Sequence, residues 1–155
     1  TLPLNPFAYV LHVEGREIPD PEPWWENVRI AVDQISRWIG DPQKVAVENL
    51  EHYPARYLDP LLNHLPVSRC VDIGHLWLEK TDPLPYLRDA LDRTRVINLH
   101  GSGERDHQSL GLIPAEQVRG VAQLLLEQPF SGVVPLEIFN QQDLDQSLAP
   151  LDRVL

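Results

Sequence analysis

Five short apolar runs in this sequence each end in a residue type that binds metal ions or moves protons. The endings are His12 in FAYVLHVEG, Glu48 in KVAVENLEH, Asp72 in RCVDIGH, His100 in RVINLHG and Glu137 in GVVPLEIF. Their separations are 36, 24, 28 and 37 residues, the scale of one strand plus one helix. Two neighbouring segments add donors. DIGH sets His75 three residues after Asp72, so both can serve one metal region. HGSGERDH leaves His100 through a glycine-bearing turn and brings Asp106 and His107 back towards it. Mixed imidazole and carboxylate donors suit a divalent Zn, Mn, Fe or Mg centre. The single Cys70 rules out a cysteine-built zinc finger.

Each of these residues alone has a plainer reading. A strand-end carboxylate is more often a helix cap or ion-pair partner, and a lone histidine more often a hydrogen-bonded one. His52 and His64 fit that plainer role. Asp106 and His107 alone would be solvated loop residues. The combination weighs differently, because several inward carboxylates at one end of a sheet repel or stay unpaired without a cation. The candidate metal residues are therefore His12, Glu48, Asp72, His75, His100, Asp106, His107 and Glu137, with Glu48, Glu137 and His107 as the catalytic candidates. Arg105 is a candidate clamp for a phosphate or carboxylate; a solvated loop arginine is the alternative.

Alternation along a strand tells which face these groups share. Counting back by two from each polar end gives Ala8 and Val10, Ala46, Cys70, Val96 and Asn98, and Val133 and Pro135. The other parity gives Tyr9 and Leu11, Val45 and Val47, Val71 and Ile73, Ile97 and Leu99, and Val134 and Leu136, the bulky residues expected to pack on helices. Strands are expected over 7–13, 44–49, 69–74, 95–100 and 133–138. Helical spacing covers 26–40, where Gly40 is a plausible stop, and 54–65, where Pro60 interrupts. It also covers 83–94, with Asp82 as cap and Pro83 just inside, 114–128, and a broken stretch over 142–155. A Pro-rich connection, REIPDPEPWW, precedes the first helix. Its Trp24 and Trp25 are expected to pack at the helix start rather than wall a substrate. Strands alternating with helices predict an α/β fold, a portion of a (β/α)8 TIM barrel whose C-terminal strand ends carry the site.

Composition narrows the partners. Thirteen Lys and Arg against 23 Asp and Glu give a formal charge of −10, which argues against a nucleic-acid partner and for a small molecule. No run approaches a membrane span, no signal peptide is visible, and one cysteine forms no intrachain disulfide; a cytoplasmic location is the expectation. Residues 1–155 read as a single domain. The sequence has no Met, and an eight-unit barrel needs about 250 residues. The expectation is an N-terminally truncated barrel of about five units, with open edges that favour self-association.

The segments ENLE, DIGH, LHG…RDH and LEIF, in that order at strand ends, resemble the xylose-isomerase-like TIM barrels, including the endonuclease IV-type enzymes. The match spans essentially the whole chain, as the middle and C-terminal part of such a barrel. The resemblance implies divalent-metal ligands at Glu48, Asp72, His75, His100 and Glu137, an earlier strand-end ligand at His12, and a loop pair at Asp106 and His107. That pair is adjacent here, whereas the endonucleases separate it by one residue, a departure from a full three-metal DNA-repair site. CVDIGHLWL, INLHGSGERDHQSLG and PLEIFNQQDLDQSL further resemble the cobamide-remodelling phosphodiesterase branch. The resemblance thus implies a metal-dependent hydrolase acting on the nucleotide loop of a corrinoid. A sugar or sugar-phosphate isomerase or epimerase of the same superfamily is the alternative, with Glu48 and Glu137 as acid and base. A non-catalytic truncated barrel is the third expectation.

Overall fold

The computed structural model describes residues 4–15 and 21–153. Four parallel strands, β1 (Tyr9–Leu11), β2 (Val45–Glu48), β3 (Ser68–Asp72) and β4 (Thr94–Asn98), lie side by side in chain order. The helices between and after them are α1 (Pro21–Ile39), α2 (Asp59–Leu62), α3 (Ile73–Leu78), α4 (Pro83–Ala90), α5 (Ala115–Glu127) and α6 (Gln141–Asp152). Strands that follow chain order without reversal wind one way, so their crossover helices fall on one face. The side chains agree. Val45 and Val47 pack with Val32 of α1 and Leu61 and Leu62 of α2. Val71, Ile97 and Leu99 pack with Leu76, Leu87, Val118 and Val121. Among the described residues the apolar cluster on the opposite face is small, Ala46, Cys70 and Val96 with Ala8 against it. Bulky outside and small inside is what a curving sheet requires, and it is the parity expected from the sequence.

The segment expected as a fifth strand runs parallel beside β4 but meets it as separate bridges, Val96 with Val133 and Leu99 with Leu136. Four backbone bonds join them, including Val133 N–H to the Arg95 carbonyl and Glu137 N–H to the Leu99 carbonyl, both 3.0–3.1 Å. The register would have residue 135 donate between these two. It is proline and has no N–H, so the ladder is interrupted.

Other boundaries shift for local reasons. The strand expected over 69–74 stops at Asp72, whose carboxylate accepts the His75 N–H and caps α3, a helix that the expected elements did not include. α1 begins at Pro21 rather than residue 26, because prolines are tolerated in a first turn. Residues 16–20 of the Pro-rich connection and 154–155 of the closing helix lie outside the described residues. α2 is only four residues long, and α4 gives way to a 3-10 turn at Leu91–Arg93. Trp24, Trp25, Tyr53 and Tyr57 stack in one aromatic cluster, so the tryptophans anchor the start of α1. Among the described residues no helix is long and apolar enough to cross a membrane.

Candidate metal centre

At the C-terminal ends of the strands a cavity of about 180 Å³ is lined by His12, Glu14, Glu48, Leu50, Glu51, His75, Asp106, His107 and Glu137. A larger opening, about 820 Å³, lies at the other end of the sheet, where Ser68, Thr94 and Gly132 stand. Its lining offers His64 and Asp92 but no cluster of metal-ligand types, so the chemistry belongs to the smaller cavity.

His75 is 4% exposed and sits on the first turn of α3. Its Nδ1 lies 2.9 Å from the Asn49 carbonyl. A carbonyl only accepts, so Nδ1 carries a proton, and in the neutral ring Nε2 keeps its lone pair. That Nε2 is buried and makes no hydrogen bond. Glu51 Oε2 lies 3.3 Å from it and Asp106 Oδ2 3.8 Å. Glu137 Oε2 is a second buried atom without a hydrogen bond. An imidazole lone pair and a carboxylate oxygen left unbonded against one cavity are the donors a divalent ion takes.

Glu48, 2% exposed, accepts from His12 Nε2 at 2.9 Å and from Asn98 Nδ2 at 3.0 Å. Burial, with the negative charges of Asp72 and Glu137 added, outweighs the His12 contact and raises its carboxyl to about 7. Asp72 and His100 are both completely buried and hold each other. His100 Nε2 lies 3.0 Å from Asp72 Oδ1, and the His107 N–H donates to His100 Nδ1 at 2.9 Å. Burial alone would raise the Asp72 carboxyl, but the His100 hydrogen bond and charge hold it below the usual range. Burial would likewise lower His100, and Asp72 holds it above its ordinary value.

The loop after β4 is closed by an antiparallel bridge between Gly101 and Gln108. His107 adopts a left-handed φ of 51° there. Its Nδ1 donates to the Glu137 carbonyl at 3.1 Å, and its Nε2 faces Asp106 Oδ2 at 3.2 Å. Phe139 stacks on the His107 ring at 4.5 Å and is largely exposed.

The structure therefore gathers His12, Glu48, His75, Asp106, His107 and Glu137 around one cavity. Asp72 and His100 stand behind its wall. Arg105 is exposed and outside the lining; its backbone N–H donates to Gln108 Oε1. Three donor groups could hold an ion: His75, His100 and His107; Glu48, Asp72 and His75; and Glu51, His75 and Asp106. His75 belongs to all three. Glu51, Glu14, Asn49 and Asn98 were missed as site residues. Asn98 has the inward parity and closes β4, whereas Glu51 follows Glu48 by three in ENLE and lies beyond the end of its strand.

The fold is found in solved enzymes. Over 82% of this chain and 52% of its own, a sugar phosphate isomerase/epimerase from Parabacteroides distasonis superposes with a TM-score of 0.56 at 11% identity. A 3-keto-D-glucoside 4-epimerase from E. coli gives 0.56 at 17% identity, covering 84% and 51%. A second sugar phosphate isomerase/epimerase from Parabacteroides distasonis gives 0.56 at 15%, covering 84% and 52%. The chain thus spans about half the length of these structures, and at such identities the likeness is one of fold: parallel strands alternating with helices as part of a TIM barrel. No family model matches the sequence, and no curated protein matches it.

Proposed function

We propose that this chain carries the catalytic face of a divalent-metal-dependent isomerase or epimerase acting on a sugar or sugar phosphate. The observation that supports it is the pairing of Glu48 and Glu137 with the unbonded His75 Nε2 around one small cavity, on a fold shared with sugar isomerases and epimerases. His75, which all three possible donor groups share, would hold the cation together with its neighbouring donors, with Zn, Mn, Fe and Mg all compatible with such a set. A bound cation polarises a carbonyl or hydroxyl oxygen of the substrate.

The chain's own residues do the proton work. Burial raises the Glu48 carboxyl to about 7 before any cation binds, which suits it to take and return a proton beside a carbonyl. Asn98 fixes its carboxylate, and His12, 54% exposed at its side chain, links it to solvent. Glu137 would serve the opposite side of the reacting carbon.

A phosphodiesterase acting on the nucleotide loop of a cobamide is the second reading. Its support is the resemblance of the three sequence segments; the structural neighbours favour the first. The test incubates the protein and Mn2+ with keto- and aldo-sugars and their phosphates in D2O, and in parallel with a cobamide. Deuterium appearing at the carbon beside the carbonyl supports the isomerase reading, and its loss in Glu48→Gln assigns the base. Cleavage of the cobamide phosphodiester without deuterium exchange refutes it in favour of the second reading.

A further inference from the structure

We propose that the larger cavity, at the N-terminal end of the sheet, is an anion site in which Arg95 receives a phosphate, free or carried by a small molecule. The proposal does not depend on the metal-dependent reading above, because this cavity and the metal centre lie at opposite ends of the strands and share no lining residue.

A backbone irregularity puts Arg95 there. Counting back by two from Leu99 and Ile97 would set Arg95 among the outward residues that pack on helices. The ladder between β3 and β4 slips at this point. Arg69 pairs with Thr94, but the next residue on β3, Cys70, pairs with Val96. Two steps on β4 thus oppose one on β3, and Arg95 is the extra residue. A bulge of this kind re-aims a side chain. The Arg95 guanidinium carbon lies 4.5 Å from the ring centre of Phe7. Phe7 precedes β1, the strand at the far edge of the sheet, so the arginine crosses the small-residue face instead of joining the helices.

That placement leaves a charge unanswered. Among the described residues no carboxylate lies within ion-pair distance of Arg95, and its buried Nε makes no hydrogen bond. A part-buried guanidinium ordinarily finds a carboxylate or carbonyls. Arg93, in the same wall, does so: it donates to the carbonyls of Leu62, Leu65 and Val67. Stacking on Phe7 takes up a face of the Arg95 guanidinium and leaves its N–H edge, the part that bonds an oxyanion in plane.

The surroundings favour the same ligand. Two guanidiniums, Arg93 and Arg95, and one carboxylate, Asp92, line the cavity, a local surplus of positive charge in a chain of formal charge −10. Ser131 and Gln43 add a hydroxyl and a side-chain amide with no hydrogen bond of their own among the described residues. A forked guanidinium with neutral donors around it suits the several oxygens of a phosphate. At about 820 Å³ the cavity has room for a phosphate still attached to a small molecule.

The experiment titrates inorganic phosphate, and separately glucose 6-phosphate, into the metal-free protein by isothermal calorimetry, with chloride holding the ionic strength constant. Wild type is expected to bind saturably, and the tighter of the two ligands tells whether the phosphate comes free or on a small molecule. Arg95→Gln should weaken binding at least about tenfold, because charge-assisted hydrogen bonds are lost, and Arg95→Lys should weaken it less. Ser131→Asp, at an exposed position, supplies Arg95 with a carboxylate and should weaken binding without touching the bulge. It carries the test should circular dichroism show that Arg95→Gln does not fold. His75→Ala, at the other end of the sheet, should bind phosphate as wild type does. Absence of saturable binding in wild type overturns the proposal. So does binding undiminished in the folded Arg95 and Ser131 variants, or a loss confined to His75→Ala.

Discussion

Asn49 and His75 are joined twice over: the Asn49 carbonyl accepts from His75 Nδ1 at 2.9 Å, while the Asn49 side chain grips the strand that leads into the His75 helix. That side chain donates to the Asp72 carbonyl at 3.0 Å and accepts the Asp72 N–H at 2.9 Å. One residue at the end of β2 therefore sets both the tautomer of His75 and the position of its helix.

Asn49→Ala removes the side-chain half of this arrangement and strands two buried backbone groups of Asp72. Each unmet buried group costs about 1–3 kcal/mol, so a loss of a few kcal/mol is expected in urea denaturation. Metal affinity should fall with it, because His75 loses its fixed approach. A variant as stable as wild type would mean that water replaces the amide.

Gly74 sits directly under His100. A β-carbon there would lie 2.0–2.4 Å from three atoms of the imidazole ring, and that ring is completely buried. Gly74→Ala must therefore displace His100 from Asp72 or distort the start of α3. Overpacking of this kind costs about 1–3 kcal/mol, occasionally more. The histidine ring resonances of His100 in NMR should shift or broaden; an unchanged spectrum and unchanged stability would contradict the packing described.

Glu48 binds its proton more tightly in the folded chain than in the unfolded one, since its carboxyl is raised from 4.5 to about 7. The folded state then holds the extra proton between those values. Its contribution is full below about pH 4.5 and is lost as pH rises through about 7. Without added metal, stability should fall across that window, by on the order of 3 kcal/mol for a shift of this size. Glu48→Gln should flatten the slope. Mn2+ should offset the loss near neutrality, because a cation compensates the charge that burial penalises. Stability that rises with pH through this window would contradict the burial argument.

The sheet ends among the described residues at β1 on one side and at the Val133–Glu137 segment on the other. Tyr9, Val10, Val133 and Val134 are each about 40% exposed along those edges. Open apolar edges pair with other chains, so this polypeptide by itself is expected to self-associate. Sedimentation should show a larger species that Val134→Lys reduces; a monomer at all concentrations would contradict this.

Much of the architecture was legible because period-two alternation separates the small lumen side chains, Ala46, Cys70 and Val96, from the bulky outer ones. The site was legible where its residues end strands. What escaped is instructive. α3 was hidden because Asp72 closes a strand and caps a helix at once. Pro135 broke a ladder through a backbone atom rather than a hydrophobic pattern. Glu51 joins the cavity from a turn just before His52, whose φ is 65°, and no strand period reaches such a residue. Asp72 and His100 carry the right types at the right ends, yet satisfy each other; pairing of this kind is decided by side-chain geometry that spacing does not encode.

The most direct measurement is metal content by element-resolved analysis of wild type, His75→Ala and His64→Ala after equilibration with Zn2+ and Mn2+. His75 offers its unbonded Nε2 to the cavity, whereas His64 is exposed and turned through Nδ1 to the Pro60 carbonyl at 2.7 Å. The account predicts bound metal in wild type and His64→Ala and its loss in His75→Ala. Equal occupancy in the two variants, or none in wild type, would contradict it.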